Sequence, residues 1–234
     1  MTRILLVVAH PDDIDFGSGG SVAAWCADGD EVTYCICTDG DAGGFDPSVG
    51  RRDMATLRRD EQRAAADVYG VGEIDWLGHP DGRLYVTHEL RRDISRSIRR
   101  HRPDRVVTQS PTRNLRSMAG SHPDHTAAGE ATLCAVYPDA RNPFAHPELL
   151  AEEGLEAWTV AETWIASPGE NAEHYLDITD TLERKIEALR AHASQTAHMD
   201  DLADRMQKWG HLQATAAGFD PDRYAEGFVV LDTR

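Results

Sequence analysis

The apolar positions of the chain open with a continuous run, Ile4 to Ala9, that ends on His10-Pro11-Asp12-Asp13. Similar runs at about residues 3–9, 31–37, 73–77 and 104–109 alternate with stretches of helical apolar spacing at about 16–28, 53–69, 88–101 and 125–137. Aliphatic runs of about four to eight residues without polar alternation suit strands buried on both faces. The β-α-β-α rhythm therefore predicts an α/β fold, a mostly parallel sheet with helices on both faces. Within the helix at 53–69, spacing puts Met54, Leu57, Ala64 or Ala65 and Val68 on one face, and Arg58, Arg59, Asp60 and Gln62 mostly on the other.

Beyond Pro138 the rhythm changes to an irregular stretch with Pro143 and Pro147, then strand-like Thr159 to Ala166 and Tyr175 to Ile178. A helix over 180–192 follows, with Asp180 and Glu183 spaced as a capping box and Leu182, Ile186 and Leu189 as its apolar stripe. Phe228-Val229-Val230-Leu231 reads as a strand returning to the sheet. No linker divides the 234 residues, so they are expected to form a single domain over 1–234.

Composition narrows the partners. With 24 basic and 40 acidic residues the formal net charge is −16, which argues against nucleic acid and anionic membrane surfaces and in favour of small molecules. No stretch reaches membrane-spanning length, and the first apolar run is too short for a secretory h-region. Cys26, Cys35, Cys37 and Cys134 read as reduced thiols of a cytoplasmic protein. The sequence does not set the oligomeric state, and a homo-oligomer stays open.

The candidate chemistry lies at two strand ends. His10-Pro11-Asp12-Asp13 follows the first run, and His122-Pro123-Asp124-His125 lies beyond the apolar segment 105–109. Proline holds the residue before it in extended geometry, so His10 and His122 are expected to point out of the carboxyl edge of the sheet, where open α/β sheets carry their sites. Zinc takes imidazole nitrogen and carboxylate oxygen, and catalytic sites hold three protein ligands with one position open, a count that His10, Asp13 and His125 meet. Asp12 is then left as a general base and His122 as a partner for a developing oxyanion. The third His-Pro-Asp, at His79-Pro80-Asp81-Gly82, reads as a turn. Gly17-Ser18-Gly19-Gly20 fails the dinucleotide fingerprint, because its third glycine would fall at Val22; close helix packing explains it better. Trp158 and Trp164 suit core packing more than sugar stacking.

Ala9 to Asp13 together with His122 to His125 resembles the PIG-L (LmbE-like) family of zinc-dependent N-deacetylases. Further likeness lies in Thr38-Asp39-Gly40-Asp41-Ala42-Gly43, Arg58 to Glu61, Leu77-Gly78 through Asp81-Gly82, and Tyr224-Ala225-Glu226-Gly227-Phe228. The resemblance implies a Rossmann-like domain holding Zn²⁺ through His10, Asp13 and His125. Asp12 would be the base, His122 the electrostatic or acid partner, and Asp124 would orient His122 through its ring and favour its protonation. Many members follow the paired aspartates with glutamate, where this chain has Ile14-Asp15; the form with the acid one place later also suits the family. Arg52 lies where some relatives contact substrate. The implied reaction removes an N-acetyl or short N-acyl group from an N-acetylglucosamine-like or glycosylated small molecule. Two alternatives stand beside it: an amidase acting on a larger internal amide, as in the related mycothiol-conjugate amidases, and a sugar-binding module without turnover. Loops 41–52, 110–121 and 138–157 are expected to set specificity.

Overall fold

The computed structural model describes residues 1–115, 118, 121–166 and 172–234. Five strands, β1 (Arg3–Val8), β2 (Glu31–Thr38), β3 (Glu73–His79), β4 (Arg105–Gln109) and β5 (Glu162–Ala166), run parallel. β7 (Ala225–Asp232) inserts antiparallel between β5 and β6 (His174–Asp177), giving the order β3-β2-β1-β4-β5-β7-β6. The expected α/β class, with a mostly parallel sheet and helices on both faces, is what the chain adopts.

Alternate residues of β1 feed two separate cores, as the period-2 geometry of a strand requires. Ile4, Leu6 and Val8 pack in a layer with α1 (Asp13–Ala27) and α2 (Arg51–Tyr69). Leu5, Val7 and Ala9 pack with α3 (His88–His101) and α4 (Pro123–Cys134) on the opposite face. All the β1 residues from Ile4 onward are buried, which is why the run lacks polar alternation.

The C-terminal part adds α5 (Pro147–Glu153), α6 (Leu182–Ala191), α7 (Ala193–Thr196) and α8 (Leu202–Ala217). α5 and α8 were not expected from the apolar pattern. α6 starts later than its spacing suggests: Thr181 is its N-cap, and the Thr181 hydroxyl donates to the Gly20 carbonyl at 2.8 Å instead of closing a capping box. Buried Glu226 of β7 accepts from the backbone N–H groups of Gly20 and Ser21 and from Lys185 Nζ at 2.5 Å, tying α1, α6 and the sheet together. Gly19 and Gly20 permit this approach, since a Cβ on Gly20 would lie 2.7 Å from Ile178 and one on Gly19 2.5 Å from the Tyr69 hydroxyl.

Both tryptophans serve the core. Trp164 of β5 packs edge-on to Trp25 and under the Arg105 guanidinium; Trp158 bonds the Pro103 carbonyl beside Arg3, at the amino ends of β1 and β4 and so opposite the His10 loop. Among the described residues no helix is long and apolar enough to cross a membrane. Four residues of loop 110–121 (116, 117, 119 and 120) lie outside the described set.

Candidate active site

β1 delivers His10 to the carboxyl edge of the sheet, and a tight turn follows. Asp12 occupies the left-handed backbone region at φ 88°, and its carbonyl accepts the Phe16 N–H as α1 begins. Asp13 Oδ2 accepts the His10 backbone N–H at 2.7 Å and closes the loop. On the neighbouring strand β4, Gln109 Oε1 accepts the Ala9 N–H at 2.9 Å, so the two site-bearing strand ends are joined directly. His122 caps α4 with its Nδ1 accepting the Asp124 N–H at 3.2 Å, and Pro123 occupies the first helical turn, where its missing donor is not needed. His122 and His125 thus lie one helical turn apart.

The three imidazoles converge, with ring centroids 5.0 Å apart for His10 and His122, 5.2 Å for His10 and His125 and 5.4 Å for His122 and His125. Asp13 bridges two of them, 3.4 Å from His10 Nδ1 and 3.0 Å from His125 Nε2. Among the described residues, two groups bring their ligand atoms within 4.8 Å of one another: His10, His122 and His125, and His10, Asp81 and Asp124. A borderline-soft divalent ion such as zinc accepts this nitrogen and oxygen donor set.

Among the protein groups alone, burial opposes the His10 imidazolium, but Asp13, Asp124 and Asp81 outweigh it and raise its pKa well above 6.5. A carboxylate cage that favours a cation at this point would favour a metal ion for the same reason. Burial pushes Asp12 up to about 6 despite the Arg58 guanidinium, with the Asp13 charge adding to the rise. Arg58, almost wholly buried, donates from Nη2 to Asp12 at 3.0 Å and to the Pro11 carbonyl at 2.5 Å, and from Nη1 to the Gly40 carbonyl at 3.1 Å. Gly40 and Gly43 leave room for that guanidinium, because a Cβ on either would lie within about 2.5 Å of Nη1.

Two expectations change here. The Asp124 carboxylate does not bond the His122 ring, which takes only the Asp124 backbone N–H: the carboxylate accepts Gly82 N–H at 2.8 Å and Leu84 N–H at 3.2 Å and lies 3.3 Å from His10 Nε2. Burial, reinforced by the neighbouring His10, lowers the His122 pKa although the Asp124 charge opposes the fall, which disfavours the cationic ring; with Nδ1 accepting the Asp124 N–H, the neutral form carries its proton on Nε2. The helical pattern of α2 is revised in part: Met54 and Ala65 are buried as expected, but Arg58, Glu61 and Gln62 share that face while Leu57 is exposed. Partners offset burying those polar groups: the Pro11 carbonyl accepts from Arg58, the Asp12 N–H donates to Gln62, Asp15 accepts from Gln62, and the Ser194 N–H donates to Glu61.

Asp81, read from sequence only as part of a turn, does turn the chain with Gly82 at φ 77°, but it also enters the cluster. Its Oδ1 lies 3.0 Å from His10 Nε2, and Asp41 Oδ1 accepts its backbone N–H at 2.9 Å. The signal was present as a third His-Pro-Asp after a strand. Arg52 stays exposed at the start of α2; its neighbour Arg51 is the one that reaches inward, to Asp41 at 2.6 Å and the Asp81 carbonyl at 3.1 Å.

Imidazoles and carboxylates gathered at the carboxyl ends of parallel strands define a Rossmann-like α/β hydrolase with a metal-type centre. The chain belongs to the PIG-L family, described as GlcNAc-PI de-N-acetylase, whose profile matches residues 5–136. It is 30% identical over 229 residues to the diacetylchitobiose deacetylase of Thermococcus kodakarensis, covering 96% of this chain and 81% of the relative. It is 28% identical to a probable N-acetyl-alpha-D-glucosaminyl L-malate deacetylase 2 of Bacillus anthracis, covering 83% and 82%. The solved N,N'-diacetylchitobiose deacetylase of Pyrococcus horikoshii superposes with a TM-score of 0.87 at 29% identity, covering 99% of this chain and 84% of that one.

Proposed function

We propose that this protein is a zinc-dependent N-deacetylase that hydrolyses the acetamide of an N-acetylglucosamine-containing small molecule. The observation that carries the reading is the convergence of His10, His122 and His125 with Asp12 and Asp13 in one crevice, in a chain homologous to deacetylases along nearly its whole length. We assign His10, Asp13 and His125 as the metal ligands, because Asp13 already faces a ring nitrogen of each imidazole. When bound, zinc supplies Lewis acidity that polarises the amide carbonyl and lowers the pKa of water from 15.7 toward about 7.

The chain's own groups do the rest. Asp12, with a pKa raised to about 6, is ionised near neutrality yet basic enough to take the proton of the attacking water. Arg58 holds that carboxylate in place. His122 presents a neutral Nε2–H that donates to the oxyanion as the carbonyl carbon becomes tetrahedral. The proton on Asp12 passes to the departing nitrogen, the C–N bond breaks, and the products are acetate and a free amine. Arg52 we assign to substrate contact, its side chain being exposed at the start of α2 beside Arg51, which reaches Asp41 and the Asp81 carbonyl.

Amine release from N,N'-diacetylchitobiose and from a simple N-acetylglucosaminide, with metal content measured on the same preparations, tests the reading. Asp13→Ala is expected to lose zinc, and His122→Ala to keep zinc while losing kcat more than it changes KM. Zinc lost from His122→Ala and kept by Asp13→Ala would replace the ligand set with the three histidines. Zinc-loaded protein that releases no amine from any N-acetylated sugar would favour a binding module.

A further inference from the structure

Behind the catalytic loop lies a buried polar chain that the reaction above does not use. Asp15 and His192 are both fully buried, and His192 Nε2 stands 2.9 Å from Asp15 Oδ2. The same Asp15 oxygen accepts Gln62 Nε2 at 3.0 Å, and Gln62 Oε1 accepts the backbone N–H of Asp12 at 2.8 Å. Residues from α1, α2 and the junction between α6 and α7 therefore form one directed sequence, from His192 to Asp15 to Gln62 to Asp12.

We propose that His192 and Asp15 are positioning residues that set the Asp12 peptide through Gln62. The inference rests on the reading of Asp12 as the proton acceptor. Polarity supplies the argument. A carboxylate only accepts hydrogen bonds, so Asp15 forces the Gln62 amide to present its NH₂ inward and its carbonyl oxygen to Asp12. The Asp12 peptide needs such a hold, since φ of 88° is a sparsely populated conformation for a residue with a side chain. His192 in turn pins the Asp15 side chain against Gln62, its Nε2 standing 2.9 Å from the same Oδ2 that Gln62 reaches.

A packing role alone explains the pair poorly. Asp15 Oδ1 and His192 Nδ1 are buried without a hydrogen-bond partner among the described residues, a cost that an apolar pair of similar volume would avoid. His192 lies outside the stretch 5–136 that the family profile matches, so the C-terminal helices supply a group that acts on the catalytic loop.

The test compares His192→Gln, His192→Ala, Gln62→Ala and the double alanine variant in the zinc-loaded full-length protein. Glutamine retains an N–H donor and is expected to keep kcat within about threefold of wild type. His192→Ala and Gln62→Ala are each expected to lower kcat about 10- to 100-fold with KM and zinc content unchanged, because a displacement of about 1 Å at a reacting group costs on the order of 10²-fold. The double variant should lose no more than the worse single one, since both act through the same peptide. Hydrogen exchange of the segment 9–16 should quicken in both alanine variants and stay slow in His192→Gln. Unchanged kcat, multiplicative losses, or wild-type exchange in Gln62→Ala would overturn the proposal; the last outcome decides even if His192→Ala does not fold. A wild-type enzyme that releases no amine would defeat the deacetylase reading, while the exchange measurement would still judge the positioning pair.

Discussion

Asp12 combines a left-handed backbone, a buried carboxylate and a guanidinium neighbour in one residue. Asparagine tolerates the same backbone region, so Asp12→Asn removes the base without dismantling the turn. The expected result is full zinc content with kcat lowered by about 10²- to 10⁴-fold, checked by single-turnover amine release alongside elemental analysis. At the start of α2, Arg51 and Arg52 separate by what they touch. Arg52→Ala should raise KM for a sugar substrate and leave the melting temperature unchanged, whereas Arg51→Ala should loosen the Asp41–Asp81 contact and with it zinc retention. Equal KM values for Arg52→Ala and wild type would remove Arg52 from substrate contact.

At the scale of elements, α4 carries His122 and His125 and is seated on β4 through Gly129. A Cβ there would lie 2.3 Å from the Gln109 carbonyl and 3.0 Å from Pro111 N, both backbone atoms that cannot rotate away. Gly129→Ala should therefore cost about 1–3 kcal/mol in denaturant unfolding and weaken zinc binding by shifting the helix. α3, which shares a layer with α4, depends on charge. Asp93 of α3 faces Arg96 at 2.6 Å, Arg92 at 3.0 Å and His79 of β3 at 3.3 Å. Burial opposes its ionisation, but His79, Arg96 and Arg92 outweigh that and hold its pKa far below the usual carboxylate range. A carboxylate depressed in the folded state adds stability above its unfolded pKa of about 4 and loses it as pH falls toward the folded value. Asp93→Asn should lower the melting temperature at pH 7, and the gap to wild type should shrink as the pH is taken below about 4. A gap that stays constant with pH would mean that packing, not charge, is what the substitution removes.

Over the whole molecule the net charge of −16 acts on any approaching substrate. Long-range repulsion disfavours anions, but a Debye length of about 8 Å at physiological salt confines the effect to low ionic strength. A neutral N-acetylglucosaminide should be deacetylated faster than its phosphorylated counterpart in dilute buffer, with the ratio of kcat/KM values narrowing as salt is added. A non-sugar acetamide should be slower than both at every ionic strength; if it were the fastest of the three, the amide hydrolase would stand and the aminosugar would not.

The sequence by itself determined the parts that are local in the chain. An unbroken apolar run marks a two-sided buried strand, and a histidine before proline at its end must leave the sheet extended, so β1 to β4 and the residues His10, Asp12, Asp13, His122, Asp124 and His125 were legible at once. Tertiary structure decided what depends on distant partners. The polar part of α2's buried face is chosen by distant partners: the Pro11 and Gly40 carbonyls accept from Arg58, and the Ser194 amide donates to Glu61. Asp124 turns to His10 because the Gly82 and Leu84 amides receive it there, and Asp81 joins the cluster because the Asp41 carboxylate takes up its backbone N–H. β7 reads locally as a strand, but its antiparallel place between β5 and β6 consists of pairings with both, which no local pattern encodes. Hydrophobic periodicity reports burial along one element; a hydrogen bond between residues more than a hundred positions apart exists only after the sheet has brought them together.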